Sequence, residues 1–261
     1  MTHPLTHLII VCCHAIYKGG PTKGRSEDEW EIEPFQKGET PTFTAHIKAG
    51  LCLAAEDPAS LLVFSGGPTK QPRTSLSEGE SYLNLALANN LYTTPFLSTS
   101  RITTELYATD SYQNLLFSLL KFRVTTGHYP SRVTVVTHEF KRARFEELHF
   151  PAVGLSADQM RVVGINPPEE VTPLRVLVEG EERRGLGLWR RDRYGVGAVL
   201  GRKRIERGWK GGIEGVPVLE GIQGDEVVEA LVRWDGGETG NEWFDRMGEL
   251  PWYIAHGGSS S

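Results

Sequence analysis

The run Arg132–His149, RVTVVTHEFKRARFEELH, does most to limit what this chain can fold into. Val133-Thr134-Val135-Val136-Thr137 is an uninterrupted β-branched stretch. Such a stretch suits a strand covered on both faces, as in a parallel sheet. Helix formers follow at once, so Thr137 or His138 begins a helix with Lys141, Arg142 and Arg144 in its first two turns. Cations there oppose the macrodipole, which favours acids in a first turn. An anionic ligand would remove the conflict, since helix N-termini hold anions and ligands of open α/β sheets sit beyond the carboxyl ends of the strands. The competing reading is a basic helix paired with Glu139, Glu146 and Glu147 along one face.

The preceding chain repeats the same alternation. Leu5–Cys13 is a continuous apolar first strand, ending in His14-Ala15-Ile16-Tyr17 and the pair Gly19-Gly20. Residues 21–39 form an acidic insertion around Trp30 and Phe35, long for a strand-to-helix connection, and read as a lid or as a surface loop anchored by its two aromatics. Thr40-Pro41 opens a helix with Phe43, Ile47, Leu51 and Ala54 at helical spacing, and Asp57-Pro58 closes it. His46 on this helix reads as an exposed or hydrogen-bonded histidine. Leu61–Phe64 is a second strand running into Ser65-Gly66-Gly67, whose amides and hydroxyl suit an anion-holding concavity, or simply a tight turn. Ser77-Glu78-Gly79-Glu80 reads as a capping box. Glu78 is a dipole partner, a catalytic carboxylate, or a metal or ribose contact.

Residues 95–104 supply a third strand ending in Glu105. Thr109, Asp110, Ser111 and Asn114 then cluster at the start of a helix with Tyr112, Leu115, Leu116, Leu119 and Phe122 on its buried face. A cap needs one such polar residue, not four. After the organising unit comes a fifth strand, Met160–Ile165. The pattern predicts a Rossmann-like, doubly wound, mainly parallel α/β sheet over 1–165, with helices on both faces. Residues 166–261 read as an extension packed on that core. It comprises a charged helix over 173–193 broken by Gly180 and Gly185, a glycine-rich basic stretch over 194–221, a helix over 225–234, and a flexible tail at 255–261.

Net charge of −5 and a pI of about 5.9 give no field that would draw nucleic acid or an anionic membrane. No apolar run approaches the ~20 residues of a membrane span, and MTHPLTHLIIVCCH reads as a strand rather than a signal peptide. Cys12, Cys13 and Cys52 suggest no disulfide framework, and adjacent Cys12 and Cys13 point to opposite faces of a strand. These features predict a cytoplasmic protein whose ligand is a small anion, with no membrane or nucleic-acid partner and no protein partner specified. HExxH and CxxC spacings are absent, which argues against a zinc site.

Three pieces occur in order: Leu61–Gly67 with Ser77-Glu78, Glu105 with Thr109–Asn114, and Val135–Phe145. Together they resemble the YdcF-like and SanA-like family of Rossmann-like α/β proteins, in its fungal-type branch. The resemblance implies a site at one sheet edge lined by Ser65, Gly66, Gly67, Glu78, Glu105, Asn114, Thr137 and Arg144. Lys141 stands where the family usually has histidine, His138 stands where serine is common, and the first strand ends in Cys-Cys-His rather than a leucine-glycine turn. The resemblance also suggests S-adenosylmethionine as a ligand.

Two functions fit these residues. One is a hydrolase or transferase acting on a phosphorylated or nucleotide-like metabolite. Ser65, Gly66 and Gly67 would hold the anion, with Lys141 and Arg144 countering developing charge. His14 or His138 would act as general acid–base, and Glu78 and Glu105 would orient water or bind a divalent metal. The other is a module that binds a nucleotide or S-adenosylmethionine without turning it over, the same cations holding a phosphate or carboxylate and Glu78 or Glu105 bonding a ribose. Thr109, Ser111, Asn114 and Thr137 complete the expected ligand contacts.

Overall fold

The computed structural model describes residues 4–95, 97–211 and 216–254; the tail read as flexible lies outside them. Strand β1 (His7–Cys12) is followed by a small antiparallel pair, β2 (Ile16–Tyr17) and β3 (Trp30–Glu31). Then come β4 (Ser60–Ser65), β5 (Ile102–Glu105), β6 (Arg132–Thr137) and β7 (Met160–Gly164). The five longer strands form one all-parallel sheet in the order β5-β4-β1-β6-β7. Helices α1 (Thr40–Glu56), α2 (Glu78–Ala88) and α3 (Ser111–Thr126) cover it. This is the expected Rossmann-like α/β arrangement.

Alternation along β1 divides the core in two. Leu8, Ile10 and Cys12 join Leu61, Val63, Val133 and Val135 beneath α3. Ile9, Val11 and Cys13 join Leu62 and Phe64 beneath Phe43 and Ile47 of α1 and Tyr82 of α2. The adjacent thiols therefore face opposite ways, and all three cysteines are free. The first turn of α2 packs directly on the strand ends: a Cβ on Gly79 would lie 2.6 Å from the Phe64 carbonyl oxygen, so only glycine fits.

Residues after 165 share this core. A turn of α4 (Phe150–Ala152) precedes β7. Beyond β7 lie α5 (Leu174–Arg184), α6 (Leu186–Trp189), α7 (Leu200–Glu206), α8 (Pro217–Glu220) and α9 (Glu226–Val232). Trp189, Tyr194, Leu219, Val228, Phe244 and Trp252 are buried in the same cluster as α3. Between sheet and extension, α3 buries eleven of its sixteen residues, well beyond the five-residue face its periodicity predicts. Among the described residues, no helix is long and apolar enough to cross a membrane.

Several boundaries differ from the sequence reading. β5 starts only at Ile102, after residues 90–93 pass through left-handed backbone and 99–101 make a tight helical turn. Helix α1 starts at Thr40 itself, with Glu39 as the flanking residue. Ser77 accepts the Glu80 amide at 3.1 Å as a cap should, while the side chain of Glu80 stays exposed. Gly180 lies within α5, and only Gly185 breaks the chain's helical path. The insertion is folded rather than loose. Trp30 is buried and donates to the Gly24 carbonyl, while Phe35 is 76% exposed and anchors nothing. Its acids Glu31 and Glu33 pair with Arg73 and Lys70 in the loop after β4.

Candidate functional site

The strand order reverses between β1 and β6, and in doubly wound sheets the crevice at that reversal is where ligands bind. The residues leaving β1 and β6 meet there. The His14 backbone is held from both sides, its amide donating to Tyr82 Oη at 3.3 Å and its carbonyl accepting from Gln36 Nε2 at 2.8 Å. The residue keeps only partial exposure, and its ring lies 4.4 Å from the His138 ring and 5.5 Å from that of His46. Nδ1 lies 3.4 Å from Lys141 Nζ and Nε2 lies 3.4 Å from Thr137 Oγ1. Because an ammonium can only donate, Nδ1 must accept and the imidazole proton sits on Nε2.

His138 is buried, stacks on Phe140 at 4.9 Å, and has no hydrogen-bond partner at either ring nitrogen. Its nearest carboxylate is that of Glu39, at 4.0 Å. His46, read from sequence as unremarkable, is fully buried in the same group. Its Nε2 bonds the Ile165 carbonyl at 2.9 Å and its ring is 4.8 Å from His138. Burial, reinforced by the Lys141 charge, holds His14 and His138 well below the usual histidine range, and burial pushes His46 down to about 4. All three are therefore neutral at neutral pH. Nothing local marks His46 in the sequence; only its place in the second turn of a helix that starts at the carboxyl edge could have flagged it.

The basic segment is not the single α-helix expected. Residues 139–141 form a tight helical turn, and Arg144–His149 form a wider π-helical turn. This fans the three cations apart. Arg142 follows the competing reading, bonding Glu139 at 2.7 Å and Glu146 at 2.9 Å on the surface. Arg144 is held by both carboxylate oxygens of Glu181 from α5, and its Nη1 donates to Ser111 Oγ at 3.1 Å. Lys141 alone of the three has no carboxylate within 4 Å among the described residues. Burial, reinforced by the neighbouring Arg144 charge, lowers its ammonium to about 8.

The other expected site residues form an internal network. Ser65 Oγ donates to Glu105 Oε2 at 2.6 Å, and Asn114 Nδ2 donates to Ser65 Oγ at 2.9 Å and to its carbonyl at 3.0 Å. Glu105 Oε1 accepts the amides of Tyr107 and Ala108, and burial pushes its carboxyl up to about 7. The expected anion cradle at Gly66 and Gly67 does not form. Their amides donate instead to the carbonyls of Glu105 and Ala108, because the turn is laid directly against the chain leaving β5. Glu78 is buried beside Gly66 and accepts from Thr69 Oγ1; burial raises its carboxyl too.

The four polar residues at the start of α3 each have a protein partner, including Thr109, Ser111 and Asn114, which the sequence reading offers to a ligand. Asp110 is the cap, Thr109 donates to Gln113 Oε1, Ser111 bridges Arg144 and His149, and Asn114 holds Ser65. The extension supplies residues that sequence reasoning did not place here. Glu181 closes on Arg144, Arg204 on Asp110 at 2.5 Å, and Arg207 donates to the Thr109 carbonyl at 2.8 Å. Among the described residues, no cluster of three or more His, Cys, Asp or Glu side chains is arranged to hold a metal ion.

No family model matches this chain, and no solved structure matches it. The chain is similar to the uncharacterized protein YOR238W of Saccharomyces cerevisiae (strain ATCC 204508 / S288c), 25% identical over 251 residues that cover 77% of this chain and 82% of the yeast protein.

Proposed function

We propose that this protein binds a small anionic metabolite, phosphorylated or nucleotide-like, in the crevice between the carboxyl ends of β1 and β6. The carrying observation is Lys141: a cation without a carboxylate partner among the described residues, held against His14 where the strand order reverses. Lys141 would grip the anion as a point charge, with Nε2–H of His14 and the Thr137 hydroxyl as nearby hydrogen-bonding groups. Residue order resembling the YdcF-like and SanA-like family supports the same reading, and with it S-adenosylmethionine as a candidate ligand. Hydrolysis or group transfer is the second reading, favoured by the contact between neutral His14 and an ammonium of lowered pKa, a pair suited to passing a proton.

Native mass spectrometry with a panel of sugar phosphates, nucleoside monophosphates and S-adenosylmethionine tests this. Lys141→Met is expected to weaken the retained ligand roughly 10- to 100-fold, the usual worth of one charge-assisted hydrogen bond. Arg142→Met, whose guanidinium is spent on Glu139, Glu146 and the Val162 carbonyl, should bind like wild type. Equal binding by wild type and Lys141→Met would remove the crevice as the site. Product formation from the retained ligand, abolished in His14→Asn, would separate catalysis from binding alone.

A further inference from the structure

The outer side of α3 carries a second concavity, distinct from the crevice at the sheet edge. A cavity of about 300 Å³ lies between α3, α7 and residues 232–235. That is the lower end of the ~300–1,000 Å³ typical of small-molecule sites. Aromatic rings form part of its wall. Trp209 leans on Phe117 at 5.5 Å with the rings 39° apart, and Trp234 is also in the lining.

Its polar groups are unsatisfied in a way the fold does not explain. Tyr112 is 4% exposed, and its buried hydroxyl has no hydrogen-bond partner. Gln113 is 3% exposed; its Oε1 accepts both the amide and the hydroxyl of Thr109, while Nε2 makes no bond among the described residues. Arg204 uses Nε on Asp110 and Nη2 on the Tyr194 carbonyl, and among the described residues Nη1 makes no bond. Exposed Arg233 and Asp235 stand at the rim, one a donor and one an acceptor.

We propose that this cavity binds a planar heteroaromatic ring with both donors and acceptors on its edge, of the nucleobase kind. Indole faces offer a stacking surface that any such ring can use. Gln113 Nε2 and Arg204 Nη1 supply hydrogen-bonding groups that a purely apolar ligand would leave unmatched. Asp235 beside Arg233 suits a ring that both donates and accepts, and disfavours a simple anion. The inference does not rest on the Lys141 crevice, since the lining residues belong to other elements.

Calorimetry and ligand-observed NMR with adenosine and cytidine, and with indole for comparison, test the proposal on wild type, Trp209→Ala and Arg233→Met. At least one nucleoside should bind saturably and more tightly than indole. Trp209→Ala should weaken it roughly tenfold, as loss of one stacking face does. Arg233→Met should weaken it by a smaller factor. Arg233 is exposed, so that variant decides the matter even if Trp209→Ala does not fold. The proposal fails if neither nucleoside saturates at its solubility limit, if indole binds as tightly, or if neither cavity variant alters the affinity.

Discussion

Arg144→Leu is expected to destabilise the protein by about 3–5 kcal/mol, the usual cost of breaking a buried ion pair from one side. The sequence alone marks Arg144 as a ligand contact, so its removal would appear to be a test of binding. In the structure its guanidinium is clamped by both oxygens of Glu181, and that carboxylate is 6% exposed. Without the arginine, Glu181 keeps only the Leu186 amide at 3.1 Å, and a buried charge is left almost bare. Ser111 and His149 lose their link to the pair as well. Chemical denaturation checks this. The Arg144→Leu/Glu181→Leu double variant should recover most of the loss, because two apolar side chains replace a pair whose burial already costs solvation. If the single variant melts like wild type, the ion pair holds nothing together and Arg144 returns as a candidate ligand contact.

Acidification should unfold the protein with comparable force. His14, His138 and His149 are held well below their ordinary range and His46 near 4, in each case chiefly by burial. The unfolded chain takes up protons near pH 6.5, where the folded chain cannot. Their contribution is therefore fully present above that pH and is lost as pH falls toward the folded values. Each strongly depressed histidine removes about 2 kcal/mol between roughly pH 6.5 and pH 5. Glu105, raised to about 7, and the raised Glu39 and Glu78 act in the opposite sense over part of that window, since the fold favours their neutral forms. The four histidines outnumber the three carboxyls. Denaturant melts at about pH 7.5 and about pH 5 should show a net loss of several kcal/mol. His138→Phe keeps the stack on Phe140 and removes two buried nitrogens that lack partners. It should lose about 2 kcal/mol less than wild type across the same interval, and an unchanged pH dependence would show that His138 titrates normally.

The sheet was legible because its strands are short β-branched or apolar runs followed by helix formers, a local signal. Leu61–Phe64 and Val133–Thr137 fall within the observed strands for that reason. The edge strand was harder to place: Ile102–Glu105 has a buried residue only at Glu105, so periodicity gave no boundary. The site was legible in part. His14, Thr137, His138 and Lys141 converge as their positions at strand ends predict. Ser65, Gly66, Gly67, Glu105 and Asn114 also converge, but on one another. Whether a polar group faces ligand or protein depends on what lies opposite, and for the Gly66 and Gly67 amides that is the carbonyls of Glu105 and Ala108. Glu181 and His46 reach the site from remote segments, and no local spacing could reveal their partners.

The reversal in strand order also sets when the crevice can exist. The strands β1, β4 and β5 and their helices come from one continuous stretch of chain and can assemble as it leaves the ribosome. Until the chain returns across α3, the other edge of β1 is a bare row of backbone donors and acceptors, a surface prone to pairing with other chains. β6 then closes that edge in register, His7 against Arg132 through Val11 against Val136. The same step carries Thr137, His138 and Lys141 to His14. A nascent chain lacking β6 thus has an adhesive edge and no meeting of Lys141 with His14, and the proposed ligand would favour only molecules whose sheet has closed.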